Sequence, residues 1–337
     1  MKRLKFCIVV LSILIINLSF SLTSLAQSKQ ALENFENQLK PLTDSMINAK
    51  IDNQRYAANE KFLILFEDIL SYPKTFSYSF EQLNNISILT PSDKRFRIYT
   101  WYVVNDFGEY ENFGFVQSEN KDEKEMQVYR LHDRSDEIIM PEGAKLDDSI
   151  WFGAVYYDII TTKNEDITYY TLLGWDGKDI YSQRKVIEPL SIKSSNGKPV
   201  FGASVFYREK DRKRCIFEYS PNATFLLKYD NQYTETIDRK KIKRKGKQQY
   251  INDTIRERNY MIVYDSLQSL FDGFDNLPQY NVGAYQYNGF RFEKGKWRRI
   301  TGVVPRNLPN KEKDKINADP TVDDKRTNVK GEKGRLF

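Results

Sequence analysis

Histidine is almost missing from this chain: His132 is the only one in 337 residues. That excludes every multi-histidine metal site and leaves one candidate for any histidine-based triad. Cysteine is nearly as scarce. Cys7 lies in an N-terminal apolar run and Cys215 is the only other. A mature chain that begins after that run can form no intramolecular disulfide, so its own core must hold it together. There is no phosphate-cradling glycine loop, no nucleophile elbow and no repeat of fixed period. No cofactor is implied by any pattern present. A second long apolar run is also absent, so no transmembrane segment is expected beyond the N-terminal one.

Strong charge of one sign is lacking as well. The formal net charge is +6. Without Lys2, Arg3 and Lys5 the 52 basic residues fall to 49 against 46 acidic ones, a net +3. That is too mild for a nucleic-acid binder.

Those three cations open the chain and precede the apolar run Phe6 to Phe20, after which Ser24-Leu25-Ala26 offers small residues at the positions a signal peptidase reads. The layout predicts a secretory leader over residues 1–26, cut after Ala26. Cys7 stands at the wrong end of the run to be a lipidated cysteine at the cut. The 311 residues that remain suffice for one large β domain or two small ones, expected in the periplasm or secreted to the cell surface.

Residues 27–74 read as a helical segment. Leu32, Phe35, Leu39, Leu42 and Met46 recur at steps of three and four. Pro41 predicts a kink or a fresh start. A second helix is expected with Asp52 or Asn53 as cap, Phe62, Leu65, Phe66 and Ile69 as its apolar stripe, and Tyr72-Pro73 as its end.

From Thr75 the period changes to two. Strand formers dominate 96–101, 126–131, 150–162, 167–175, 215–219, 225–229, 260–264 and 287–297. Turn signals lie between them at 163–166, 176–179 and 195–198. The expected fold is mainly β, an antiparallel meander forming a curved sheet, sandwich or barrel over 75–304, with a β-propeller as the alternative. Apolar residues on both faces of Ile150 to Ile159 predict a central strand. Residues 305–337 are rich in Lys, Asp, Asn and Pro and read as a flexible charged tail.

The sharpest local feature is basic. Arg239, Lys240, Lys241, Lys243, Arg244, Lys245 and Lys247 crowd together inside an insertion at 232–258. Such a run can hold an anionic polymer such as lipopolysaccharide or an acidic glycan. Aromatics for base stacking are sparse there, which weighs against nucleic acid. The plainer reading is a solvated loop between strands. Cys215 alternates with Phe217 and Tyr219 and reads as a buried apolar residue rather than a nucleophile. His132-Asp133 resembles a base and its orienter, yet neighbours in sequence rarely make that geometry. Asp176-Gly177 reads as a tight hairpin turn rather than a calcium loop. Carboxylates such as Asp176, Asp179, Glu188 and Asp265 leave acid–base hydrolysis open, with no spacing that singles out a pair.

Six segments (96–101, 169–177, 184–188, 197–202, 216–220 and 290–297) resemble an uncharacterised family of exported β-rich proteins of the Bacteroidota. The resemblance spans about residues 75–301 and implies a compartment and a domain, not a reaction. Members commonly carry Asp-His-Leu where this chain has Asp265-Ser266-Leu267, and Tyr-Asp-Gly-Phe where it has Tyr287-Asn288-Gly289-Phe290. The resemblance implies that the basic insertion is this chain's own addition. Asp44-Ser45-Met46, Asp148-Ser149-Ile150, Asp253-Thr254-Ile255 and Asp265-Ser266-Leu267 resemble the O-glycosylation site of exported Bacteroidota proteins, Asp253-Thr254-Ile255 being the best placed.

The expectation is therefore an exported, envelope-associated β domain that binds or scaffolds an envelope component or another protein. The rival is a periplasmic hydrolase of envelope glycan or peptide, and an anion-binding module built on the basic run stands third. The leader makes a direct prediction: the exported protein should begin at Gln27 by intact-mass analysis, and a cytosolic product that keeps residues 1–26 would contradict it.

Overall fold

The structure, a computed structural model, describes residues 29–120, 125–244 and 247–304, and of 120, 235–256 and 304 only the backbone. The leader and the tail lie outside the described residues. Among those described are two helices, α1 (29–48) and α2 (Asp52–Ser71), and fourteen strands. The described residues fall into two compact units. One lies within Met1–Asp230 and Tyr260–Thr301, the other within Asn231–Asn259 and Gly302–Phe337.

The first unit is built from layers. Strands β1 (Ser87–Leu89), β2 (Phe96–Val104), β3 (Tyr110–Asn120) and β4 (Glu125–His132) form an antiparallel meander in chain order. Because side chains alternate, β2 and β3 serve two cores at once. Tyr99, Trp101, Val103, Phe113 and Phe115 face the helices and meet Leu39, Met46, Phe62, Leu63, Phe66 and Leu70. Phe96, Ile98 and Val116 face the second sheet and meet Trp151, Tyr156, Leu172 and Phe201.

That sheet comprises β5 (Leu146–Asp147), β6 (Val155–Asn164), β7 (Ile167–Asp176), β8 (Gln183–Ile192), β9 (Pro199–Phe201) and β10 (Cys215–Tyr219). Its order is β5-β9-β8-β7-β6, with β10 beside the first half of β8. Its far face carries Leu173, Ile187 and Cys215 against Phe225, Ile262, Tyr264, Phe290 and Trp297. The last four of these core residues come from β12 (Lys247–Ser269), β13 (Asn281–Glu293), which pairs with it, and β14 (Lys296–Val304). In the second unit β11 (Leu227–Arg244) pairs with β14 at Tyr233↔Val304 and Thr234↔Val303.

Buried polar groups stitch helix to sheet. Trp101 Nε1 donates to Asn59 Oδ1 at 2.8 Å. Gln117 Nε2 donates to the Leu70 carbonyl at 2.7 Å, satisfying one of the free acceptors at the end of α2. Arg97, also buried, donates through Nη1 to the carbonyls of Thr75, Phe76 and Tyr78.

Several expectations need correction. Helix α1 continues through Pro41 without a fresh start; Pro41 is exposed, so water can serve the carbonyl its missing N–H leaves free. Helix α2 is preceded by Ile51 and has no side-chain cap; Asp52 lies in its first turn instead. Tyr72 does end it. Residues Ile150 to Ala154 are not a strand. Ile150 is 49% exposed, whereas Trp151, Phe152 and Ala154 fill the core from a connection. Strand β6 lies at the sheet edge, not at its centre. The strands covered on both sides are β2, in which Phe96 to Trp101 are all buried, and β7 and β8, buried from Tyr170 to Gly174 and from Val186 to Leu190. The basic run continues strand backbone up to Arg244 and again from Lys247 rather than forming a loop; its side chains lie outside the described residues.

Phe66 makes ring contacts with Phe62, Phe80, Tyr99, Trp101 and Phe115. Phe66→Ala should therefore cost about 3–5 kcal/mol in urea denaturation. A loss under about 1 kcal/mol would show that the helices do not depend on this contact.

Candidate functional site

Where the first two sheets join, loops from three strand ends enclose a polar cleft of about 370 Å³. The β2–β3 turn is shaped by Asn105, whose Oδ1 accepts from the backbone N–H groups of Phe107 and Glu109, both at 2.9 Å. This turn docks on the β7–β8 connection. The Tyr110 N–H donates to the Lys178 carbonyl at 2.8 Å. The Tyr110 ring lies so close over Gly177 that a β-carbon there would clash. Residues 133–137, after β4, supply the third wall, and Tyr56 of α2 contributes to the lining.

Asp133 is the hub of the cleft floor. Its Oδ1 accepts from Ser135 N at 3.0 Å, Ser135 Oγ at 2.5 Å and Gly153 N at 3.2 Å. Its Oδ2 accepts from Asn112 N at 3.2 Å and Asn112 Nδ2 at 3.1 Å. A β-carbon at Gly153 would collide with this carboxylate, which explains the glycine. Asn112 Nδ2 also donates to Asp176 Oδ1 at 3.0 Å and so bridges two carboxylates.

Asp176 is buried and takes a further bond from Lys178 N at 3.0 Å and one from Arg184 Nη1 at 3.4 Å. Arg184 and Lys178 then converge on Glu218. Arg184 Nε reaches Glu218 Oε2 at 3.2 Å, and Lys178 Nζ reaches Glu218 Oε1 at 2.6 Å.

The electrostatics follow from burial and from these donors. Burial pushes Asp176 up to about 6; Asn112, the Lys178 N–H and Arg184 pull it down, and Asp133 adds to the rise. Glu111, on the same lining, is also raised, by burial first and then by Asp133 and Glu60, against a hydrogen bond with Tyr56. The Tyr56 phenol is pushed up to about 12 by burial and by Glu111. Burial opposes ionisation of Asp179 and Glu218, but their donors outweigh it. Backbone N–H groups of Ser182 and Tyr181 hold Asp179 low, and Lys178, Ser182 and Arg184 hold Glu218 low.

Of the carboxylates singled out from sequence, the cleft brings together Asp176 and Asp179 only. Glu188 is sealed in the core against Arg214 at 2.7 Å, with neither side chain exposed. Asp265 lies at the β12–β13 register shift, beside Gly283. His132 is the exposed last residue of β4, opposite Phe113. Cys215 is buried and its thiol pKa is raised by that burial. Asp176-Gly177 opens a longer connection, from Gly177 to Ser182, rather than a tight hairpin.

Ser266 and Asn288 meet across β12 and β13: Asn288 Nδ2 donates to Ser266 Oγ at 2.6 Å. Asn112, Glu111, Arg184 and Glu218 were not candidates from sequence. Asn112 and Glu111 sit on β3, whose polar residues hide its strand character. The ties of Arg184 to Asp176 and of Glu218 to Lys178 cross between chain segments.

Among the described residues no group of three or more His, Cys, Asp or Glu side chains is placed to hold a metal ion, and no helix is long and apolar enough to cross a membrane. No family model matches the chain, and neither a curated protein nor a solved structure does.

The raised Asp176 sets a pH dependence. Its folded-state value, about 6, exceeds the ordinary 3.8. The native state therefore holds this proton more tightly than the unfolded chain. Its stabilising contribution is whole below about pH 4 and is lost as pH rises to about 6. A difference of that size corresponds to about 3 kcal/mol. Asp176→Asn cannot titrate, so between about pH 4 and pH 7 it should lose up to about 3 kcal/mol less stability than the native protein in urea denaturation. Identical pH slopes for the two would contradict the assignment.

Proposed function

We propose that this protein is an exported, envelope-associated β domain whose role is to bind or scaffold, with residues 1–26 as its removable leader. The observation that carries the reading is how the cleft carboxylates are used. Asp133 already accepts five hydrogen bonds, Asp179 and Glu218 are held ionised by fixed donors, and Asp176 is clamped by Asn112, the Lys178 N–H and Arg184. Carboxylates tied in this way hold loops in place, which suits a preformed recognition surface. A general acid or base instead needs a proton it can hand to a substrate.

One observation favours the rival, a hydrolase of envelope glycan or peptide. Asp176 and Glu111 line one cleft and both have raised pKa values, the pattern of acid–base chemistry.

Incubating the purified mature protein with isolated cell envelopes separates the two. The binding reading expects co-sedimentation with the envelopes and no release of soluble sugar or peptide fragments. Release of fragments that disappears in both Asp176→Asn and Glu111→Gln would establish the hydrolase instead.

A further inference from the structure

A second concave surface, far simpler in composition, lies on the far face of the second sheet. It encloses about 350 Å³ and is lined by Tyr157, Trp175, Lys185, Tyr219, Thr224 and Phe225. Strand register explains how these residues meet. Trp175 is opposite Lys185, Lys185 is opposite Phe217, and Gln183 is opposite Tyr219. Directly paired residues project to the same side of a sheet, so β7, β8 and β10 present one row. Tyr157 stands in the register shift between Tyr156 and Asp158, and its ring reaches the same row, 5.1 Å from Lys185 Nζ.

The aromatic walls are held before any ligand arrives. Trp175 Nε1 donates to Gln183 Oε1 at 2.8 Å, and Tyr102 and Tyr110 set their rings at steep angles against the indole, 5.6 and 5.5 Å away. The Tyr157 hydroxyl donates to the Leu227 carbonyl at 2.9 Å. Fixed rings spare a ligand the entropy of ordering them.

Lys185 is the unusual member. It is partly buried, and burial lowers its pKa. Among the described residues no carboxylate lies within ion-pair range of it, and its neighbour is the Tyr157 ring. Sequestered ammonium groups ordinarily have an anionic partner. Arg184, one residue earlier, points to the opposite side and is committed to Asp176 and Glu218.

We propose that this pocket is a binding site for a carboxylated sugar, a uronic-acid residue of an acidic polysaccharide: Trp175 and Tyr157 offer ring faces to the sugar, and Lys185 takes the carboxylate. Stacking surfaces supply contact area, a few polar groups fix orientation, and the single cation selects the charged sugar over its neutral counterpart. The site shares no lining residue with the acidic cleft. It rests on the binding role proposed above and names a ligand for it.

The indole itself is the reporter. Of the four tryptophans, Trp101, Trp151 and Trp297 are at most 1% exposed, so Trp175 is the one open to a neutral quencher. In the mature protein, trigalacturonic acid should protect tryptophan fluorescence from acrylamide in a saturable manner. Galactotriose, the neutral control, should bind about tenfold more weakly or worse, as expected when one charge-assisted contact is lost. Lys185→Gln should weaken trigalacturonate binding by about tenfold, and Lys185→Arg should retain it. No protection at millimolar trigalacturonate, equal affinity for the two sugars, or full affinity in Lys185→Gln would each overturn the proposal. Such a result would leave envelope co-sedimentation unaffected, so the two readings fail separately.

Discussion

Everything in the first unit depends on strand β2 being buried on both faces. Six successive residues, Phe96 to Trp101, are all buried. A strand in that position cannot sit on a surface, so one layer must cover each side. Helices α1 and α2 cover one side and the second sheet covers the other. The second sheet is then itself enclosed, because Leu173 and Ile187 on its far face need Ile262, Phe290 and Trp297. With Cys215 the lone described thiol, this chain of coverings does the work that cross-links do in small disulfide-rich domains.

Layered burial leaves the strand ends to carry polar chemistry. The β2–β3 turn and the β7–β8 connection belong to different sheets, and backbone and ring contacts between Tyr110, Gly177 and Lys178 join them. Carboxylates gather at this join because they are good acceptors for loop N–H groups that no strand partner satisfies. Asp133 holds three chain segments at once, from β3, its own turn and Gly153. Asn112 donates to both Asp133 and Asp176 and so offsets part of the repulsion between them. The same grip that orders the cleft limits the chemistry its acids can perform.

The two concave surfaces of this unit differ in kind. In the cleft the two cations from the β7–β8 side, Lys178 and Arg184, are both paired with Glu218. On the aromatic face a single ammonium stands against rings. A lone charge beside fixed aromatic walls is open to an outside partner.

The sequence alone determined the β-rich class, the helical start, the end of α2 at Tyr72, and most strands with clear alternation, since these follow from local periodicity. It determined Cys215 as a core residue by the same rule. It misplaced the central strand, because apolar residues on both faces look alike whether a segment is a covered strand or, as at Trp151 to Ala154, an irregular connection plugging a core. It missed β3 because Asn112, Gln117 and Ser118 are polar and buried, and Gly114 passes close to the Tyr99 carbonyl. Their strand character rests on partners far along the chain. Only the tertiary structure could bring Asp133 and Asp176 to one amide, seal Glu188 with Arg214, and set Lys185 among rings from β6, β7 and β10. Those meetings depend on strand order and register, which no local pattern encodes.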